Sequence, residues 1–408
     1  MTKESKNIGE MKNLGPAIAW GLNRFVKVFG NLFSLACGSF TQVKKGRVMC
    51  WAYNFKQYSC NPRYLTEYLL KNNPEFEIYW VFRKKVDISG IDSRIKCVRF
   101  RSLEYYKLVN SAEFFITNSR TDPYRIYWHK RPGQKYLMLW HGGVALKKIE
   151  KDAEAKLGYS YVQKSKIDSK VCDLMTSSCR YQTDLMENKF WYSGEILKKG
   201  IPRNDIFFDM EQRASLNAKV RKLYSISSGD KIVMYAPTFR RGNDLSPYSI
   251  NWDKVIPELE KVFGGVQVRV LVRLHPNLIG KVDTSGLVGY EKVTDATLYH
   301  DMQELLCVSD MLITDYSSAM FDFAMLERPC LLYATDIEKY DRGYYFRFDE
   351  LPFPLARTQE ELLSNLASFD RSEYDNRVTT FFDTNIGIYD DGHASEAIAE
   401  WMISRSIS

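Results

Sequence analysis

Asp310-Met311-Leu312-Ile313-Thr314-Asp315-Tyr316-Ser317-Ser318-Ala319-Met320-Phe321-Asp322 is the stretch that decides the fold. A short apolar run, a hydroxyl-rich turn and a helix start follow one another, which is the strand-to-helix step of a parallel α/β sheet. Amides at the start of that helix, with Ser317 and Ser318 beside them, suit a phosphate or pyrophosphate. Asp and Ser are also favoured at helix N-termini for local reasons, so the turn alone leaves an ordinary cap open as well. Asp322, four residues after Ser318, is placed to reach a ribose hydroxyl.

The same alternation extends in both directions. Val48–Tyr53, Ile78–Phe82, Ile95–Phe100, Phe114–Thr117, Tyr136–Trp140, Asp173–Thr176 and Ile196–Lys198 read as strands, with helices near Pro62–Lys71, Leu103–Asn110 and Arg180–Asn188. A polar helix, Met210–Ser225, leads to the linker Ser227-Ser228-Gly229-Asp230. Beyond it Ile232–Tyr235, Val268–Val272, Glu291–Thr294, Met311–Thr314 and Cys330–Tyr333 read as strands, separated by helices near Trp252–Phe263, Met302–Val308 and Ser317–Leu326. The expected organisation is a segment 1–46, an α/β half over 47–228 and a second over 229–408, with the ligand site in the cleft facing the C-terminal ends of both strand sets. Ala394–Ile403 has helical spacing and is expected to return and brace the first half.

The formal charge of +7 over 408 residues is almost wholly local. Eight Lys or Arg against two acids put +6 into residues 1–50. A basic groove along the whole molecule is therefore unsupported, and nucleic acid is not expected as a partner. In that basic stretch Ile18, Leu22, Phe25, Phe29, Leu32 and Ala36 recur at helical spacing, opposite Asn23, Lys27, Asn31 and Ser34, with Trp20 and Phe33 near the apolar side. Two readings suit such a helix, one in the headgroup region of an anionic membrane and one packed on the protein's own core. Arg24 and Lys27 interrupt it before it is long enough to span a bilayer, and no signal-peptide cleavage site is obvious. The eight cysteines are scattered without metal-ligand spacing and read as reduced thiols.

His141 and His275 each stand directly after a strand, in opposite halves, where a cleft would gather them. Gly142-Gly143 after His141 leaves room for a ligand against the backbone. Arg273 and Arg240-Arg241 are cations at strand exits that could neutralise a diphosphate. Pro237 and Thr238 form a turn able to present backbone groups to a nucleobase. There is no Walker loop, no G-x-G-x-x-G and no convincing Asp-x-Asp, so neither cofactor nor metal is expected, and amides and side chains would meet phosphate charge.

Taken in order, Leu139-Trp140-His141-Gly142-Gly143 through Ile149, Gly200-Ile201-Pro202-Arg203-Asn204-Asp205, Tyr235-Ala236-Pro237-Thr238-Phe239-Arg240, Arg273-Leu274-His275-Pro276, Ile313-Thr314-Asp315-Tyr316-Ser317-Ser318 through Asp322, and Arg328-Pro329 to Tyr340 resemble the CDP-glycerol glycerophosphotransferases of teichoic acid and related polymer synthesis. The resemblance covers roughly Tyr136 to Tyr345. It implies a GT-B-like pair of Rossmann-type domains, peripheral at the cytoplasmic face of the cell membrane, with CDP-glycerol in the C-terminal half and a lipid-linked saccharide or polyol-phosphate acceptor at the N-terminal half. The length of 408 residues fits the single-transferase form, such as a priming enzyme, at least as well as the family polymerases, which often carry a further long N-terminal region. Gly143 stands where the family pattern carries threonine, so a hydroxyl is missing there.

On that resemblance an acceptor hydroxyl attacks the β-phosphorus of a CDP-alcohol and CMP leaves, with His141 as general base. His275, Arg273, Ser317 and Ser318 hold the diphosphate, with Arg240, Thr314 and Asp315 in the same donor site. Asp322 binds ribose and Pro237 and Thr238 lie near cytosine. Gly142, Gly143, Lys147, Lys148, Arg203 and Asp205 face the acceptor. A nucleotide-sugar glycosyltransferase or epimerase on the same fold, and a non-catalytic membrane scaffold, are the rival readings.

Overall fold

The computed structural model describes residues 16–408 apart from 241–244, 276–277, 279–284 and 340–342, with side chains from residue 27 onward. Arg241, Pro276, Tyr340 and the side chains of Ile18, Trp20, Leu22, Asn23, Arg24 and Phe25 lie outside the described residues.

Strands β1 (Arg47–Trp51), β2 (Glu77–Phe82), β3 (Lys96–Arg99), β4 (Phe114–Thr117), β5 (Lys135–Met138), β6 (Leu174–Thr176) and β7 (Glu195–Leu197) form one sheet in the order β3-β2-β1-β4-β5-β6-β7. A second sheet contains β8 (Lys231–Ala236), β9 (Val268–Val272), β10 (Val293–Asp295), β11 (Met311–Thr314), β12 (Cys330–Tyr333) and β13 (Leu355–Ala356), ordered β10-β9-β8-β11-β12-β13. Every pairing within the two sheets is parallel. Helices on both faces bury each sheet, which is why its strands are nearly unbroken apolar runs. The strand order reverses between β1 and β4 in one half and between β8 and β11 in the other, and ligands of open α/β sheets bind at such points.

The two halves share a core. Val144, Leu146 and Ile206 of the first half lie in one buried cluster with Tyr316, Phe321 and Leu332 of the second. A charged clamp lies beside it: Arg63 donates to Asp301 at 3.1 Å and to Glu304 at 2.8 Å. Burial opposes the charge on Glu304, yet Tyr299, Arg63 and Lys219 hold its pKa down at about 2. The final helix, Ala394–Arg405, packs across the boundary expected at residue 229. Its Ile398, Ala399, Trp401 and Met402 join Val48 and Trp80 of the first sheet and Leu65 of the helix Cys60–Asn72.

A buried ion triad braces the segment after β5. Arg120 donates to Glu150 at 2.8 Å and to Asp168 at 2.9 Å, and all three side chains are almost fully buried. Such a group is satisfied only as a set, since loss of one partner strands a charge in low dielectric.

The N-terminal helix Pro16–Ser39 docks with its polar stripe. Ser34, 1% exposed, donates to the Tyr127 carbonyl at 2.6 Å, and Asn31 donates to the Tyr124 carbonyl at 3.0 Å. Gly30 permits this approach, because a Cβ there would stand 2.5 Å from the Tyr127 ring. Phe29 and Leu32 are 62% and 60% exposed, and Val28 and Leu35 point outward too. Packing on the protein's own core would have buried this apolar stripe; the described side chains do the opposite. Among the described residues no helix is long and apolar enough to cross a membrane.

Candidate active site in the cleft between the sheets

The C-terminal ends of both sheets border a cleft of about 530 Å³, a size suited to a nucleotide-linked substrate. The first half contributes Tyr53, the run Trp140–Lys147 and Arg203, and the second contributes Pro237, Thr238, Arg273, His275, Gln303, Ser317, Ser318 and Asp322. Chain positions far apart meet there because each follows a strand or opens the helix after one.

His141 does not simply extend β5. That strand ends at Met138, two residues earlier than the expected Trp140, and Trp140 itself is left-handed with φ +54°. The turn brings the His141 Nδ1 to 3.1 Å from the Asn118 carbonyl, at the β4 exit. A carbonyl only accepts, so Nδ1 carries the proton and Nε2 is left as the basic nitrogen. Desolvation of the ring against the cleft walls pushes its pKa down to about 4, the Asn118 carbonyl opposes this and Arg203 adds to it; the residue as a whole is nonetheless exposed in the open cleft. At neutral pH the imidazole is therefore uncharged. The pKa of His275 is also lowered, first by burial and then by Arg273 and Lys147; its ring packs on Phe239 with centroids 5.5 Å apart.

Arg203 and Asp322 meet across the halves in an ion pair. Arg203 also donates to the His141 carbonyl at 2.8 Å, and Gln303 donates to Asp322 at 3.0 Å. Burial raises the Asp322 pKa while Arg203 and Gln303 oppose the rise. Among the described residues that line the cleft, three polar atoms are buried without a hydrogen-bond partner: Arg203 Nε, Arg273 Nε and Thr238 Oγ1. Buried donors of this kind are costly, and a polar ligand would satisfy them.

Several residues expected in the site turn away from it. Arg240 is gripped by Asp315 and, at 2.7 Å, by Asp336, and Asp315 also accepts from the Thr238 amide at 2.8 Å. This charge is spent on fixing the Pro237–Arg240 turn, so Arg240 and Asp315 shape the cleft edge and do not line it. Thr314 is buried in β11 and donates to the Ala236 carbonyl at 2.6 Å. Asp205 accepts from the amides of Ala394 and Ser395 at 3.0 and 2.8 Å, capping the last helix, and burial raises its pKa to about 6. Lys148 lies outside the lining and packs on Gly343, while Lys147 remains in it. The helix after Ser318 runs only over Ala319–Ala324, shorter than expected, and Ser317 Oγ accepts from the Ala319 amide at 3.3 Å. Local amides and hydroxyls, more than a long helix dipole, are what this turn offers an anion.

Gly143 has a structural explanation. A Cβ at this position would stand 2.3 Å from Ser178 Oγ and 3.9 Å from Asp322 Oδ1. The hydroxyl of Ser178, from the β6 exit, occupies the space that a side chain at 143 would need.

Sequence reasoning did not single out Tyr53, Asn118 or Gln303. The strand-exit rule that found His141 and His275 applies equally to Tyr53 and Asn118, which follow β1 and β4. Gln303 carries no such signal, since it acts through the helix Met302–Val308 packing beside Asp322. Among the described residues no group of three or more His, Cys, Asp or Glu side chains is placed to hold a metal ion, and all eight cysteines are free thiols.

Two parallel sheets in Rossmann order, facing each other across a cleft that both supply, define the GT-B-like class. Residues 33–404 match the family model described as CDP-glycerol:poly(glycerophosphate) glycerophosphotransferase, and the chain belongs to that family. It is 31% identical over 376 residues to the teichoic acid poly(glycerol phosphate) polymerase of Staphylococcus epidermidis, covering 88% of this chain and 50% of that protein. The chain thus spans about half the length of the first curated relatives it matches. It is also 31% identical to the teichoic acid glycerol-phosphate transferase of Staphylococcus aureus, over 86% of this chain and 90% of that one. A variant of the wall teichoic acid polymerase TagF superposes with a TM-score of 0.77 at 28% identity, over 94% of this chain and 97% of that structure.

Two predictions follow from this geometry. An NMR titration of His141 should show an inflection near 4, well below the ordinary 6.5. Because the unfolded chain takes up this proton first, the associated stability is complete above the ordinary histidine pKa of about 6.5 and is lost as pH falls from there toward 4. Gly143→Thr should lower stability by about 1–3 kcal/mol through overpacking, and Ser178→Gly in the same chain should recover most of it in thermal unfolding.

Proposed function

We propose that the protein transfers glycerol phosphate, or a related polyol phosphate, from a CDP-alcohol to a hydroxyl of a lipid-linked acceptor in cell-surface polymer synthesis. The acceptor oxygen attacks the β-phosphorus, the new P–O bond forms, and the bond to the bridging oxygen breaks with its electron pair leaving on CMP. His141 Nε2 takes the hydroxyl proton. A base is useful here only if it is unprotonated at working pH, and the observation that carries this reading is the neutral His141, its Nδ1 fixed on Asn118, at the seam of the two halves.

Arg273, His275, Ser317, Ser318 and the amides beside them meet the diphosphate and the charge that develops on CMP. Thr238 and Pro237 contact the base, Asp322 the ribose, and Lys147 and Arg203 the acceptor side. Phosphate charge is neutralised by these groups, with no metal assigned. Family membership and the relatives' named activities support the donor class.

The outward apolar stripe of the N-terminal helix supports a peripheral seat on the anionic cytoplasmic face of the membrane. Lys44 and Lys45, both exposed, follow that helix and supply charge of the matching sign, whereas Arg47 is paired with Glu77 in the sheet.

With CDP-glycerol and a lipid-linked acceptor, the purified protein should release CMP, and His141→Ala should lower kcat by about 10²–10⁴-fold while CDP-glycerol still binds in calorimetry. Full activity in that variant would sink the base assignment, and turnover of UDP-sugars alone would sink the donor. Flotation with phosphatidylglycerol vesicles should recover the protein, and the pair Phe29→Asp and Leu32→Asp should remain in the soluble fraction. Unchanged flotation of that pair would rule out the helix face as the membrane contact.

A further inference from the structure

Trp140 precedes His141 with φ +54°, a strained conformation for a bulky residue that persists only where its surroundings over-determine it. Asn61 supplies much of that determination. It is fully buried in the first turn of the helix Cys60–Asn72. Its side-chain amide donates to the carbonyl of Leu139 at 2.9 Å and to the carbonyl of Trp140 at 3.0 Å. The Asn61 Oδ1 accepts from the Arg203 backbone amide at 3.0 Å, and the Arg203 side chain donates to the carbonyl of His141 at 2.8 Å. Three successive carbonyls, at 139, 140 and 141, are thus held from outside the loop chiefly by one buried amide and one guanidinium, with the Thr176 hydroxyl adding a longer bond of 3.4 Å to the first. β5 has already ended at Met138, and strand-type pairing reaches only as far as the Leu139 amide, which donates to the Thr117 carbonyl at 2.8 Å; it holds none of these carbonyls.

We infer that Asn61 is a positioning residue for the transfer reaction, bracing the left-handed Trp140 so that His141 stays seated on the Asn118 carbonyl with its second nitrogen toward the cleft. The inference rests on the reading of His141 as the base. Asn61 touches no substrate; it acts through the backbone of Leu139 and Trp140 and through Arg203. Its side chain satisfies none of its own helix's free amides, which is the ordinary use of an Asn at such a place.

The test uses the full chain carrying Asn61→Ala or Asn61→Asp, the second of similar size but lacking the amide donor. Both should lower kcat for CMP release by about 10²-fold, the cost of a misplacement of about 1 Å. The affinity for CDP-glycerol should stay within twofold, since the donor groups belong to the other sheet. As the His141 ring shifts away from the cleft walls that desolvate it and from Arg203, the acid limb of the kcat profile should move up toward the ordinary histidine range. An NMR titration of His141 in each variant should move the same way, and this readout needs no turnover. If wild-type protein releases no CMP from CDP-glycerol, the functional reading falls, while the titration still decides whether Asn61 seats the ring. Wild-type kcat with an unmoved titration would overturn the inference. So would equal losses in kcat and CDP-glycerol affinity, or recovery of both variants only as aggregate, because Asn61 would then hold the fold in general.

Discussion

The ion pair between Arg203 and Asp322 is the contact through which the two halves of this molecule become one site. Neither charge has ready access to water, so each needs the other. The pair fixes the relative placement of the segment after β7 and the helix after β11. Arg203 then extends the same constraint to the His141 carbonyl, and Gln303 extends it to the helix Met302–Val308. A shared apolar cluster that includes Val144, Leu146 and Phe321 joins the same two halves. Docking of the halves thus brings the second sheet's groups against a base that the first half already seats.

The cleft chemistry grows from topology. Parallel strands deliver their C-terminal ends to one side, and the reversal of strand order leaves a gap at β1/β4 and at β8/β11. Asn118 and Tyr53 emerge beside the first gap, and Thr238 and Ser317 beside the second. His141 and His275 come from β5 and β9, each next in its sheet to a strand bordering a gap. Other groups at the same edge hold the scaffold. Arg240 shows the distinction well, since its charge is cancelled by Asp315 and Asp336 before any ligand could meet it.

Much of this was legible in the residues, for reasons that can be named. Strands buried on both faces are apolar runs, so Phe114–Thr117 and Met311–Thr314 coincide with the strands observed. The helix Tyr159–Val171 escaped notice because the side chains it buries are Val162, Ser165, Asp168 and Ser169, which make no apolar stripe. Its Asp168 is buried for Arg120, a partner 48 residues away. Among site residues, His141, His275, Arg273 and Ser318 stood at strand exits and do line the cleft. Arg240, Asp315 and Asp205 stood in the same motifs, and a one-dimensional pattern does not reveal whether a charge faces a ligand, another charge or a helix end.

The sequence by itself determined the two α/β halves, the concentration of positive charge near the N-terminus and the strand ends that border the cleft. Local periodicity and residue type suffice for these, because burial of an apolar run or a helical stripe is written in neighbouring residues. Tertiary structure alone decided which stripe of the N-terminal helix faces the protein, since Gly30 and Ser34 meet Tyr127 only after nearly a hundred residues of chain have folded back. It also decided that Ser178 fills the space beside Gly143, that Asp205 caps the final helix, and that Asn61 and Arg203 hold the loop of His141. Each of these depends on a distance between residues remote in the chain, and such distances exist only once the chain has folded back on itself.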